Sequence, residues 1–335
     1  MRRRAPLWLV VACAALVACG PVAPTSSAVA ASPSPGASPP AGTLPAVPSP
    51  TPTPASCRLP VAGGDAPVDG RPGDGMTGHG GFLELPAGTF SADPTSLASY
   101  DRAVSRWLPV AREWVAADGS RYAFGDPAGS VVHVVDAASG ADHAFHVASP
   151  MAVVSFESDG VYVAGVVAGS GAAPRGLSVL DPATGAVRQV VADGRWVIVG
   201  GGIAYGQDLD PAAAPPAGGA PGAANRVRRL DLRTGAVTSV ASYPGASVQV
   251  LGAYGPDPLI GVTAGTIYTV FAGAGTTLFT GPTADADPGA PVVVDGATVW
   301  FSSQNAAVWR WTGTGRAMRA ADVPLRSLQV AGACR

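Results

Sequence analysis

The 335-residue chain has no lysine, so all 21 of its basic residues are arginine. Isoleucine and asparagine are also scarce. This reads as the codon bias of a GC-rich genome and not as a functional choice. Charged residues amount to 13%, the formal net charge is −2, and loss of Arg2, Arg3 and Arg4 would leave −5. No basic run and no interleaving of basic with aromatic residues is present, so the chain lacks the electrostatic footprint of a nucleic-acid binder. A G-x-S-x-G nucleophile motif is absent too. There are only four histidines and four cysteines, which narrows the chemistry further.

Targeting signals are set aside before the fold is read. Arg2 to Arg4 precede an apolar stretch, Ala5 to Ala18, too short to read as a membrane span. It ends in Leu16-Val17-Ala18-Cys19-Gly20. This resembles the lipobox of bacterial lipoproteins, which implies a signal peptide over 1–18 and a diacylglyceryl group on Cys19. The expected location is therefore the extracytoplasmic face of the cell membrane, with the lipid anchor as the sole membrane contact. Residues 19–56 are nearly all Pro, Ala, Ser, Thr, Val and Gly, with "PSPGASPP" and "PSPTPTPA" among them. Such a segment buries too little apolar surface to offset chain entropy, so a disordered tether is expected. In extended polyproline II, at about 3.1 Å per residue, it reaches roughly 100 Å.

With Cys13 in the signal and Cys19 acylated, Cys57 and Cys334 are left at the two ends of the 57–335 domain. In an exported protein that placement predicts a disulfide.

Inside the domain a phrase recurs: "VVHVVDAASGAD" at Val131–Asp142, "LSVLDPATGAV" at Leu177–Val187 and "RLDLRTGAV" at Arg229–Val237. Aspartate opens a turn and glycine takes the left-handed position of a bulged hairpin. Around the first copy lie four strand-length runs, "REWVAAD", "SRYAFGD", "SVVHVVD" and "ADHAFHV". Turns near Asp101, Asp136, Asp181, Asp231, Ala272 and Thr312 fall 35 to 50 residues apart, the period of a propeller blade. The reading is all-β: a six-bladed β-propeller of four-stranded antiparallel blades. Unit one, assigned the hairpin "LASYD"–"SRWLPV", lacks an innermost strand, and "LRSLQVAGAC" is spare at the C-terminus. Docking that strand into blade one would close the ring, bring Cys334 to Cys57 and remove exposed edges.

"AADGSRYAFG" (Ala116–Gly125) resembles the "SPDG" strand pair of TolB-type and other WD-like propeller repeats, with Ala116-Ala117 where Ser-Pro would stand. As a whole, Cys57–Arg335 resembles propeller lipoproteins of GC-rich bacteria. TolB itself is untethered, so Cys19 is a departure and its role is not transferred.

Candidate chemistry is sparse. His133, His143 and His146 share one unit, but His143 and His146, three apart on a strand, face opposite sides. His79 sits in a loop without a partner at ligand spacing. Asp65, Asp69 and Asp74, and the pairs Asp208/Asp210 and Asp285/Asp287, could offer carboxylates to calcium; ordinary Asp-Gly and Asp-Pro turns explain them more simply. Neither the S-x-D-x-G-x-x-W boxes of sialidase-like propellers nor a quinoprotein tryptophan repeat occurs. Trp107, Trp114, Trp196, Trp300, Trp309 and Trp311 are expected to pack between blades. No catalytic residue, metal site or cofactor is assigned.

In an up-and-down blade the compact turns share one rim, and the second-to-third-strand loops share the other. That second rim carries long segments such as "PAAAPPAGGAPGAAN", and loops on a rigid scaffold commonly bind. Its polar candidates are Asp126, Arg175, Asp208, Asp210, Asn225, Arg226, Gln304 and Asn305. The expected function is a monomeric envelope scaffold that binds a protein or glycan. The alternative is a glycan hydrolase or lyase, which would need paired carboxylates converging in the funnel.

Overall fold

The computed structural model describes residues 56–63, 80–126, 128, 130–166, 174–216, 223–282, 292–302, 307–322 and 328–335. The signal segment, Cys19, the tether, Asp65, Asp69, Asp74, His79, Asp285, Asp287, Gln304 and Asn305 lie outside them. Among the described residues no helix is long and apolar enough to cross a membrane.

Strands come in consecutive antiparallel sets. The first sheet holds β1 (Cys57–Gly63), β2 (Gly80–Leu85) and β3 (Thr89–Asp93), with the last strand of the chain, β25 (Leu328–Val330), against β1. A two-stranded ribbon follows, β4 (Ser99–Asp101) and β5 (Arg106–Leu108). The third sheet is β6 (Arg121–Asp126), β7 (Val131–Asp136) and β8 (Asp142–His146). The fourth is β9 (Met151–Glu157), β10 (Gly160–Gly165), β11 (Arg175–Leu180) and β12 (Val187–Val191). In the fifth are β13 (Trp196–Gly200), β14 (Ile203–Asp208), β15 (Arg226–Asp231) and β16 (Val237–Ser242). The sixth comprises β17 (Ser247–Tyr254), β18 (Asp257–Ala264), β19 (Ile267–Ala272) and β20 (Thr276–Pro282). The seventh comprises β21 (Val293–Asp295), β22 (Thr298–Ser302), β23 (Ala307–Trp311) and β24 (Met318–Asp322).

Each sheet is buried on both faces, which explains why strands such as "GVYVAG" read as unbroken apolar runs. On β10, Val161 and Val163 pack against Ala123, Val132 and Val134 of the third sheet. Tyr162 and Ala164, one step out of phase, pack against Trp196 and Ala204 of the fifth. The same construction links the fifth sheet to the sixth through Val227 and Ile260, and the sixth to the seventh through Leu259 and Trp311. Trp300 and Val308 of the seventh meet Leu59 and Leu83 of the first. Phe82 of the first meets Tyr100 and Trp107 of the ribbon. Leu108 of the ribbon and Val110 beside it meet Val115 and Ala137 of the third. Among the described residues, seven apolar cores therefore join seven sheets in a closed circuit, an all-β propeller. All six tryptophans named above pack in these cores.

Closure follows the expected route. β25 pairs with β1 in the register Val61↔Val330, and Arg58 and Arg335 exchange backbone hydrogen bonds of 3.2 and 3.0 Å. Cys57 and Cys334 form a disulfide with Cα atoms 5.7 Å apart.

Two details differ from the sequence reading. The hairpin assigned to the outer edge of blade one is a separate two-stranded sheet, and the first sheet takes its outer pair from β2 and β3. Of the six turns that set the expected blade count, the one near Asp101 belongs to the ribbon, and the first sheet was not counted apart from it, so the described strands form seven sheets and not six. "REWVAAD" is not an innermost strand either. Arg112–Trp114 form a 3₁₀ turn, and Val115 alone bridges to Tyr122. The N–H groups of Trp114 and Val115 bond back to the carbonyls of Ala111 and Arg112, which satisfies this backbone locally.

The recurring phrase is the turn joining the two outer strands. In all three copies the glycine N–H bonds to the aspartate carbonyl at 2.8–2.9 Å, and Gly140, Gly185 and Gly235 have φ of 72°, 75° and 74°. Asp136 Oδ1 accepts from the Ser139 N–H and hydroxyl, both at 2.7 Å. Asp181 accepts from the Ala183 N–H and the Thr184 hydroxyl, and Asp231 from the Arg233 and Thr234 N–H groups. These donors, the backbone N–H groups foremost, hold all three carboxyls below the usual carboxylate range.

Candidate functional site

Alternating strand direction brings the β6–β7, β10–β11, β14–β15, β18–β19 and β22–β23 connections to one rim. The fifth sheet contributes the longest connection whose roots are described. Asp208 and Arg226 are the last cross-strand pair of β14 and β15. Arg226 Nε donates to Asp208 Oδ1 at 2.7 Å, and Arg228 Nη1 to Asp208 Oδ2 at 2.9 Å. Asp210 lies 3.7 Å from Arg226 Nη1 and accepts from the Ser242 hydroxyl at 3.1 Å. Its carboxyl is held low, chiefly by the Ala212 N–H, and the Asp208 hydrogen bond pushes the Arg226 guanidinium up.

Asn225 is the centre of this root. It is fully buried. Its Oδ1 accepts from the Asp210 N–H at 2.6 Å and its Nδ2 donates to the Ala214 carbonyl at 3.1 Å. Its backbone N–H donates to Asp208 at 3.0 Å, and its carbonyl accepts from the Tyr243 N–H at 2.7 Å. Its side chain and N–H therefore tie parts of the connection to one another, and its carbonyl ties the connection to Tyr243 after β16. Next to it, buried Gln207 accepts the Val250 N–H at 2.7 Å and stitches the fifth sheet to the sixth.

Four predicted site residues, Asp208, Asp210, Asn225 and Arg226, are thus brought together, and their polar atoms engage one another. They brace a loop. Asp126 ends β6 and accepts the Ala128 N–H at 3.1 Å, while exposed Arg175 opens β11. Both belong to this rim on other sheets. Two exposed apolar side chains belong to this rim: Leu209, within the connection, is 50% exposed, and Ile267, the first residue of β19 on the next sheet, 45%. Leu209 was missed because it lies between two aspartates. Arg228 and Ser242 were missed because only the β14–β15–β16 register brings them to the carboxylates.

Of the histidines, His133 is 2.8 Å from Asp142 and stacks on Phe124 at 4.5 Å. His143 and His146 pair with Val134 and Val131, so they sit on opposite faces of β8, as the spacing requires. Among the described residues no group of three His, Cys, Asp or Glu could hold a metal ion. On the opposite rim, Glu157 accepts the Ser155 hydroxyl at 2.7 Å and Asp159 the Tyr162 hydroxyl at 2.8 Å. Burial pushes the Glu157 carboxyl up against the effect of Ser155, and the Asp159 charge adds to the rise.

No family model matches the chain, and no curated protein matches it. Similar solved structures include BamB from Moraxella catarrhalis, at 16% identity and TM-score 0.31, over 62% of this chain and 75% of that one. Hsv2 from Kluyvelomyces marxianus is similar at 15% identity and TM-score 0.36, over 58% and 57% respectively. The propeller rests on the chain's own sheet order and its ring of cores.

Proposed function

We propose that this chain is a lipid-anchored β-propeller of the cell envelope whose long-loop rim is a binding scaffold for a protein or glycan. The observation that carries the reading is the braced β14–β15 connection. A buried asparagine with all its polar groups engaged and a two-arginine clamp on Asp208 fix the roots of a loop that holds Leu209 out in water. Exposed apolar side chains on a fixed support are what a recognition surface needs, because little loop entropy is lost on binding. The Cys57–Cys334 bond supports an oxidising, extracytoplasmic location, and the lipobox around Cys19 supports anchoring to the membrane.

The test is capture from envelope extracts with the full chain and with a Leu209→Asp, Ile267→Asp variant. A partner held by the wild type and lost by the variant, at equal thermal stability, supports the rim. Equal capture by both removes it.

A further inference from the structure

Arginine keeps its charge in a protein, so a guanidinium drawn out of water needs an acceptor or an aromatic face. The half-buried arginines among the described residues find one, with a single exception. Arg112 lies 3.7 Å from Asp101, and Arg226 and Arg228 share Asp208. Arg229 bonds to the Tyr205 hydroxyl, while Arg121 and Arg310 lie over the rings of Phe156 and Trp300. Arg195 is the exception. Burial lowers its guanidinium from the ordinary arginine value with no charged group opposing the effect. Among the described residues no acceptor and no ring stands against its side chain.

The backbone around Arg195 is nonetheless firmly held. Its carbonyl accepts the Gln207 N–H at 2.9 Å, and the Asp193 carbonyl accepts the Trp196 indole N–H at 2.9 Å. On its other side this turn from β12 into β13 meets the start of β11. Gly176 bridges to Arg195, and its N–H donates to the Gly194 carbonyl at 2.9 Å. Gly176 has a φ of 71°, and a Cβ there would stand 2.9 Å from the Ala192 carbonyl oxygen, so glycine is what lets the two segments come this close. The approach brings exposed Arg175, the residue before Gly176, to the same junction of the loop rim. Arg175 has no acidic partner among the described residues either. Within 175–176 and 191–195 the only acid is Asp193, which is exposed and forms no ion pair among the described residues.

We propose that Arg195, with Arg175 at the same junction, forms a site for an oxyanion: a carboxylate, sulfate or phosphate group of a ligand that reaches the loop rim. The fork of guanidinium N–H groups matches two oxygens of such a group, and each contact is a charge-assisted hydrogen bond. The Asp208 clamp on the same sheet is different, because its two guanidiniums are already neutralised from within the protein. An anion supplied from outside offsets the cost of holding the Arg195 charge half-buried. The site does not rest on Leu209 or Ile267, so failure of envelope capture would leave it standing.

The test titrates the full-length chain with sodium sulfate, and separately with sodium acetate, at an ionic strength held constant with sodium chloride. Arginine Nε–H resonances followed by NMR report binding, and the two anions separate a tetrahedral oxyanion from a carboxylate as the preferred group. Saturable shifts at Arg195 and Arg175 are expected with at least one of them. Arg195→Gln should weaken binding by about tenfold or more, and Arg175→Gln by less. Arg195→Gln should also keep or raise the thermal midpoint, because it removes a half-buried charge that has no internal partner. Shifts absent with both anions would overturn the proposal, and shifts spread equally over exposed arginines such as Arg188 would mean an adventitious ion only. Unchanged binding by Arg195→Gln would overturn it as well. So would a clear fall in that variant's midpoint, since Arg195 would then be a structural residue whose charge is satisfied within the protein.

Discussion

Replacing Cys57 and Cys334 with serine removes the covalent lock on the ring while leaving the β1–β25 pairing intact. The bond closes a loop spanning a sequence separation of 277. Chain entropy for a closed loop of that length gives about 5.6 kcal/mol, and loss of native disulfides generally costs about 2–5 kcal/mol. The first sheet magnifies the effect. β25 has three residues, its pairing with β1 spans Val61↔Val330 to Gly63↔Leu328, and without the bond the two chain ends are held by hydrogen bonds and packing alone. Equilibrium guanidinium denaturation of the oxidised chain and the double variant, followed by tryptophan fluorescence, measures the difference. A loss of about 2–5 kcal/mol with unchanged denaturant slope is expected. A loss below about 1 kcal/mol would refute the argument that the ends of the chain are the weak point of the ring.

Asn225→Ala removes the hydrogen bonds to the half-buried Asp210 N–H and to the carbonyl of exposed Ala214. At about 0.5–1.5 kcal/mol for each bond, it should destabilise clearly in the same assay. A change within about 0.5 kcal/mol, the scale of ordinary surface substitutions, would remove Asn225 as the root of the loop. Because Asp136, Asp181 and Asp231 are held below the usual carboxylate range, their contribution is present above the unfolded value of about 3.9 and is lost as pH falls through the folded values. The triple variant with asparagine at these positions should therefore lose less stability than the wild type between pH 5 and about 2, and parallel profiles would contradict the turn assignment. Cys19→Ala should release the protein from membranes with the 57–335 domain still folded, and it should abolish metabolic labelling by a fatty acid. A wild-type chain that takes up no label would end the lipoprotein reading.

Local features were the most legible. The Asp-x-x-Thr-Gly turn needs only five residues, so its aspartate cap and left-handed glycine could be read from any one copy. Closure was legible for a different reason: cysteines at both ends of the domain record a contact that no local pattern could show. The ribbon was not legible. "SYD" and "RWL" alternate like any outer hairpin, and what separates them from the first sheet is the bond from Tyr100 to Ala331, far away in sequence. The third sheet's innermost run failed because Arg112 turns toward Asp101, 3.7 Å away, and the chain coils there instead of extending. At the rim, strand ends named the right neighbourhood. They could not reveal that the register sets Asp208 opposite Arg226 and so turns candidate ligand contacts into a brace.

Hydrogen exchange on the full chain, free and bound to any partner captured from envelope extracts, tests the proposed binding rim most directly. The account predicts protection at Arg175, Leu209 and Ile267, with the turns at 138–140, 182–185 and 232–235 unchanged. Protection confined to those turns, with the rim exchanging as in the free protein, would contradict it.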